Sequence, residues 1–255
     1  MHPLLELTHV TFAYHSKDGE TSALSDISFQ VEKGEFIAIV GPSGCGKSTL
    51  LSLIFGLLLP ESGEILLHGV PVSCSNQGLG YMLQRDQLFE WRSIYRNVTL
   101  GLELQSKKDP AHTERVKNML REYGLAPFEN ARPSELSGGM RQRAALIRTL
   151  ATDPEMLLLD EPFSALDYQT RLTVCDDIFS IIKKEGKTAL LVTHDLSEAI
   201  SVADRVLVLS SRPARIKREV PIQVSISERT PMKTRSAPEF KNYFNLLWKE
   251  LNDHE

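Results

Sequence analysis

Residues 36–59 read FIAIVGPSGCGKSTLLSLIFGLLL. The apolar run from Phe36 to Val40 is short and continuous, the pattern of a strand buried on both faces rather than of one that alternates between core and water. It leads directly into Gly41, Pro42, Ser43, Gly44, Cys45, Gly46, Lys47, Ser48 and Thr49, and then into a helix-like apolar stretch from Leu50 to Leu59. The segment fits GxxxxGK[ST] between a strand and a helix, the setting that phosphate binding requires. Glycines let backbone N–H groups close around phosphate oxygens, and the helix start adds a positive dipole end. Lys47 supplies a cation for the β- and γ-phosphates, and Ser48 a hydroxyl for Mg²⁺.

Outward from this stretch, similar buried runs recur at Met156–Leu159 and Thr188–Val192, so the three are expected as central strands of one parallel sheet. Upstream, LELTHVTFAY places Val10, Phe12 and Tyr14 on one face of an alternating strand. ALSDISFQVEKGEFIAIVG reads as two more strands divided at Lys33-Gly34. Between Gln84 and Asp153 such runs are absent, and Thr113-Glu114-Arg115 opens an amphipathic helical stretch ending near Gly124. That region reads as a helical lobe inserted into the sheet. After Leu209, SSRPARIKREV leads to a Ser/Thr/Pro-rich link and a helix from Pro238 to Leu251. There Phe240, Phe244, Leu247, Trp248 and Leu251 repeat at helical spacing and are expected to pack on the body.

The run Met156–Leu159 ends in Asp160-Glu161, two adjacent carboxylates at the C-terminal end of a strand, where open parallel sheets bind ligands. Beside a phosphate loop, Asp160 suits the Mg²⁺ shell and Glu161 the polarisation of an attacking water. Ser137-Gly138-Gly139 at a helix start offers either a helix cap or a second set of bare N–H groups for an anion.

Composition excludes several alternatives. The chain has 255 residues, with 29 Lys+Arg against 33 Asp+Glu and a net charge of −4, which does not suit a protein that coats nucleic acid. Cys45, Cys74 and Cys175 are scattered and build neither a disulfide framework nor a CxxC metal pattern, as in a reducing cytosol. The most apolar stretch is about ten residues, roughly half a bilayer span. MHPLLELTHV has no basic segment followed by a long apolar one, so a cytoplasmic location is expected. No fixed-period repeat is present.

Leu136-Ser137-Gly138-Gly139-Met140-Arg141-Gln142-Arg143 resembles the signature motif of ATP-binding-cassette ATPases, and the resemblance extends from about Leu4 to Arg218. It implies an α/β fold: a P-loop NTPase (RecA-like) parallel sheet core with an N-terminal antiparallel β subdomain and an inserted helical subdomain. The ATPase domain would span residues 4–225, with core 4–85 and 154–225 and lobe 86–153, followed by a C-terminal extension with an amphipathic helix over 226–255. The resemblance brings ATP and Mg²⁺ as cofactors. It makes Gln84 the Q-loop glutamine, Ser164-Ala165-Leu166-Asp167 the D-loop and His194 the switch histidine that touches the γ-phosphate. Glu161, His194, Gln84 and Lys47 would be catalytic, and Ser48, Gln84 and Asp160 would hold the metal. Tyr14 matches the aromatic that stacks on adenine, while its place on the Val10–Phe12 face equally suits core packing. The phosphate loop would be completed by Ser137 and Gly139 of a second copy, giving a homodimer of ATPase subunits, and Gly138 and Asp167 would belong with these among the nucleotide-binding residues.

With no membrane span of its own, the chain resembles an importer subunit that docks separate transmembrane permease subunits on the cytoplasmic side of the cell membrane. It would be served indirectly by an extracytoplasmic solute-binding protein. LQRDQLFEWRSIYRNVTLG, FSALDYQTRL and VLSSRPARI look like the nitrate/sulfonate/taurine branch, whose members import small oxyanions, sulfonates or thiamin-pyrimidine precursors. One departure is Glu90, where the branch commonly has proline before tryptophan. Phe89, Trp91 and Arg92 suit a permease contact, while Trp91 also suits an anchor inside the helical lobe. Arg212, Arg215 and Lys217 fit a solvated face or an anionic lipid surface. Cys45 is either a tolerated loop position or a thiol activated by the helix start. The alternative of a soluble cassette ATPase uncoupled from transport would ordinarily bring a long coiled coil or a second cassette, and neither is present. No Asn-Lys-x-Asp guanine reader supports a GTPase.

Overall fold

The continuous apolar runs build the centre of the molecule. A computed structural model describes residues 3–17, 19–72, 78–107, 109–227 and 229–252; Cys74 and the first two residues lie outside the described set. β1 (Leu5–Ser16) and β2 (Gly19–Val31) form an antiparallel pair, joined by β4 (Ser62–Leu67) and β5 (Val70–Pro71) in the order β2-β1-β4-β5 when β3 (Phe36–Val40) is set apart. β3 belongs to the second sheet with β6 (Leu79–Met82), β7 (Met156–Asp160), β8 (Thr188–Val192), β9 (Arg205–Leu209) and β10 (Ile216–Pro221), in the order β10-β9-β3-β8-β7-β6. Five of these run parallel, and β10 is antiparallel to β9. β3, β7 and β8 are buried at every position, as continuous apolar strands covered on both faces must be. β6 and β9 were not expected; β6 is only LGYM, too short to show a pattern.

The alternating side chains of β3 divide the core. Ile37 and Ile39 pack toward α1 (Lys47–Ile54) and the antiparallel sheet. Phe36 joins the core shared by the helical lobe and α6 (Tyr168–Lys184), while Ala38 and Val40 face α7 (Leu196–Val202) and α9 (Phe240–Asn252). The lobe runs between β6 and β7 and holds α2 (Ile94–Val98), α3 (Leu100–Leu104), α4 (Pro110–Glu122) and α5 (Gly138–Leu150); α8 (Pro231–Arg235) precedes α9.

Local chemistry shifts four expectations. The apolar stretch to Leu59 is helical only through Ile54. Gly56 at φ 79 lets Leu57 N donate to Ser52 O and Gly56 N to Leu53 O, a paired helix stop that leaves Leu57 and Leu59 exposed. α4 starts earlier than Thr113, because Asp109 accepts from His112 N and Pro110 takes the first turn. In β1, a register shift against β2 between Phe12 and Ala13 breaks the alternation, so Val10, Phe12 and Ala13 are buried while Tyr14 is 43% exposed. In α9, Leu247 is fully buried and Phe240, Phe244 and Leu251 pack on the core, but Trp248 is 58% exposed and stacks on Phe244.

Candidate active site

The parallel strands deliver their chemistry from one edge. β3 leads to Gly41, β6 leads to Gln84, β7 ends in Asp160 and leads to Glu161, and β8 leads to His194.

The phosphate loop depends on glycine at two positions. A Cβ on Gly41 would lie 3.0 Å from both Cys45 Sγ and Leu209 Cβ. Gly46 has φ 120, and its Cβ would lie 2.9 Å from Leu24 Cδ2. Pro42, Ser43 and Gly44 form the exposed crest. Lys47 is buried, and its Nζ donates to Gly41 O at 2.8 Å and Pro42 O at 2.9 Å, which holds the ammonium inside the loop's curve. Cys45 is buried beneath the crest, and burial pushes its thiol up, against the opposing pull of Lys47. Cys45 packs as a small residue in the core beneath the loop.

Ser48 Oγ donates to Asp160 Oδ1 at 3.0 Å, joining the loop to the acidic strand end. Burial raises the Asp160 carboxyl, with the Ser48 hydroxyl acting against that shift. Tyr81, in the short strand β6, donates to Asp160 Oδ2 at 3.4 Å, and its own hydroxyl is pushed up to about 12, first by burial and then by that carboxylate.

Glu161 occupies the left-handed region at φ 43, an uncommon conformation for a non-glycine that costs on the order of 1 kcal/mol. Neighbours hold it there: Glu161 N donates to Val192 O at 2.9 Å, and Ser164 Oγ donates to Glu161 O at 3.0 Å. The twist brings Glu161 Oε2 within 3.3 Å of Gln84 Nε2 and 3.0 Å of His194 Nδ1. Gln84 also donates to Ser164 Oγ at 3.4 Å. Lys47, Ser48, Asp160, Glu161, Gln84 and His194 are thus assembled within one chain.

Tyr14 is not a core residue. Its hydroxyl lies 3.0 Å from Thr49 Oγ1 on α1, and its exposed ring packs edge-on against Phe12 at 4.9 Å. Ser137, Gly138, Gly139 and Asp167 are not brought to the phosphate loop; their hydrogen bonds stay at their own helix starts. Ser137 Oγ accepts from Met140 N at 3.4 Å at the head of α5, and Asp167 Oδ1 from Thr170 N at 3.1 Å at the head of α6. These two helix starts pack together: a Cβ on Gly138 would lie 3.0 Å from Leu166 Cδ2, and one on Gly139 2.7 Å from Val174 Cγ2. The Thr170 hydroxyl, together with backbone N–H donors, holds the Asp167 carboxyl below its ordinary range.

Trp91 does not anchor the lobe. It is 71% exposed and stacks on Phe89 with ring centroids 4.8 Å apart. Buried Asn97 holds the loop beneath, accepting from Phe89 N and donating to the carbonyls of Phe89, Arg92 and Ser93. Glu90 lies 3.3 Å from Arg141 Nη2, and the same guanidinium grips Asp86 at 2.8 Å. Arg212 reaches inward, donating to Gly44 O at 2.7 Å. Arg215 donates to Ser25 Oγ, and Lys217 to Glu250 O. Sequence reasoning missed Tyr81, and it missed the contacts of Ser164 and Arg212; Ser164 carried a signal as the first residue of the D-loop match and Arg212 as part of a basic run.

The profile of the family described as "ABC transporter" matches residues 24–164. The ABC transporter ATP-binding protein YtlC of Bacillus subtilis is 46% identical over 98% of this chain and 96% of its own. The nitrate import ATP-binding protein NrtD of Synechocystis is 42% identical over 98% and 96%. Among solved structures, the ATP-binding cassette MJ0796, dimeric, in a post-hydrolysis state and bound to ADP and Pi, superposes with a TM-score of 0.73 at 28% identity, covering 86% of this chain and 99% of that one.

Proposed function

The chain belongs to the ABC transporter family as an ATP-binding, ATP-hydrolysing subunit, and from that premise we propose that it energises import of a small anionic or related solute through separate permease subunits. The observation that carries the chemistry is the convergence of Gln84 and His194 on one oxygen of Glu161, beside the phosphate loop. Lys47 and the backbone N–H groups of Gly41 and of Ser43 to Ser48 bind the phosphates, with Tyr14 against the adenine. Glu161 takes the proton of the attacking water as its oxygen bonds to the γ-phosphorus and the bond to the β–γ bridging oxygen breaks. Gln84 and His194 hold the carboxylate in place, and His194 contacts the γ-phosphate. Ser48 and Asp160 are hard oxygen donors already 3.0 Å apart, which suits a Mg²⁺ that also takes phosphate oxygens, with Gln84 as a third donor. Bound there, Mg²⁺ would neutralise charge on the β- and γ-phosphates.

A second copy supplies Ser137, Gly138, Gly139 and Asp167 to each site. The stacked pair Phe89 and Trp91 is the proposed permease contact, rimmed by the Arg92–Glu103 ion pair at 2.8 Å. Among the described residues no helix is long and apolar enough to cross a membrane, consistent with peripheral attachment at the cytoplasmic face. The ATPase unit is taken as residues 4–225, with 226–255 as an extension. The cargo class follows the resemblance to the nitrate/sulfonate/taurine branch and the name of NrtD. Nitrate, taurine, alkanesulfonate and a hydroxymethylpyrimidine-type precursor are the solutes to test.

Uptake of each labelled solute by a strain lacking the gene, complemented with the parent, Lys47→Ala or Glu161→Gln, tests cargo and coupling together. One solute restored by the parent alone supports the reading. Unchanged uptake of all four removes the branch assignment. In the purified protein, Glu161→Gln is expected to retain ATP affinity and to slow hydrolysis about 10³-fold; a parental rate would refute Glu161 as the base.

A further inference from the structure

Beneath His194 lies a network that the hydrolytic scheme does not use. His194 is flanked by Thr193 and Asp195, and Thr193 Oγ1 closes the turn by accepting from Asp195 N at 3.0 Å. The same hydroxyl donates to Glu198 Oε2 at 2.6 Å; Thr193 and Glu198 are both almost fully buried. Asp195 Oδ1 accepts from Ser197 N and Glu198 N, so the turn is fixed to the head of α7. Opposite, Arg171 projects from the first turn of α6. Its Nη2 donates to Leu166 O at 3.0 Å, while its other nitrogens lie 3.6 Å from Asp195 Oδ2 and 3.9 Å from Glu198 Oε1.

These contacts close a ring. Leu166 ends the turn that begins at Glu161, through Ser164 N to Glu161 O and Leu166 N to Phe163 O. From Leu166 the path runs through Arg171, Glu198 and Thr193 to His194, and back to Glu161 across the 3.0 Å contact. His194 is itself 57% exposed in its side chain, so little else fixes where its ring sits.

We propose that Arg171 and Glu198 are positioning residues for hydrolysis, clamping the Glu161–Asp167 turn to the His194 turn so that the imidazole meets the Glu161 carboxylate. The inference rests on the reading of Glu161 and His194 as catalytic. Because Asp167 directly follows the carbonyl that Arg171 grips, a displacement of that turn reaches His194 through one guanidinium.

The test is single-turnover hydrolysis of γ-labelled ATP by excess enzyme, followed for hours so that slow variants remain measurable, alongside the ATP dissociation constant. Arg171→Met is expected to slow hydrolysis about 30-fold with ATP affinity within about twofold of the parent, since misplacing a reacting group costs rate rather than binding. In a His194→Ala background the same substitution should cost less than about threefold, because its effect passes through the missing ring. Thr193→Val, which keeps the volume and removes the hydroxyl, is expected to lose about 10-fold with the same non-additivity, and it serves if Arg171→Met fails to fold. Full multiplication of the losses, or a parental rate in Arg171→Met or Thr193→Val, would overturn the proposal. A parental rate in His194→Ala alone would instead remove the catalytic reading of His194.

Discussion

Two helix starts in this chain look alike in sequence and differ in what they lack. At the head of α1, Gly46 has no side chain to cap the helix, and Lys47 turns back over the loop with its charge held by two carbonyls. At the head of α5, Ser137 caps its own helix through Met140 N. The first end exposes its donors and is surrounded by Ser48, Asp160, Glu161, Gln84 and His194. The second has an occupied cap, an exposed serine and a packed glycine, and no acid or base of the hydrolytic set bonded to it. On the proposed function the first is a phosphate cradle held within one chain and the second would complete the site of another copy, so that hydrolysis would need two copies and phosphate binding one.

That comparison breaks if lesions at the two ends behave alike. Lys47→Ala should weaken ATP binding to a single chain by about 10- to 100-fold, from loss of a charge-assisted contact. Ser137→Arg should leave that affinity within about twofold and lower hydrolysis by about 10²-fold. Calorimetric titration with ATP and a phosphate-release assay separate the two, and equal loss of affinity in both variants would erase the distinction.

A smaller effect concerns the sheet edge that carries the complete half. Burial pushes the Glu198 carboxyl up from 4.5 to about 7. Between those values the folded chain holds a proton there that the unfolded chain has released. Its contribution to stability is therefore present below about 4.5 and is lost as pH rises to about 7. Urea midpoints between pH 5 and 7.5 should fall more steeply with pH for the parent than for Glu198→Gln; parallel curves would show that Glu198 does not titrate in this way.

Smaller again is the cost of a side chain in the phosphate loop. Gly46→Ala should destabilise by about 1 to 3 kcal/mol, because φ 120 and the approach of Leu24 both oppose a Cβ. Gly34→Ala, with φ 81 and no atom within 4 Å of its Cβ, meets the backbone strain alone and should cost less.

The complete half was also the legible half. FIAIV, MLLL and the ALLV of TALLV are unbroken by polar residues because both faces of their strands are covered, and each is followed within two residues by its functional residues. The identities of Gln84 and His194 as site residues were implied by family resemblance, but their contacts with Glu161 and the φ 43 backbone at that residue have no mark in the letters Asp-Glu-Pro. β6 escaped notice because four residues with a glycine show no period. Tyr14 was ambiguous because the register shift between Phe12 and Ala13 breaks the alternation just before it, and that shift depends on pairing with β2 that local sequence does not specify. Arg212 read as surface charge because its partner, the carbonyl of Gly44, is distant in sequence.

The most direct measurement of the central claim is sedimentation of Glu161→Gln with and without ATP, repeated with Ser137→Arg added. The account predicts a monomer without nucleotide, a dimer with ATP, and a nucleotide-bound monomer once Ser137 is replaced. A Glu161→Gln chain that binds ATP yet remains monomeric, or a dimer that forms equally well with Ser137→Arg, would contradict it.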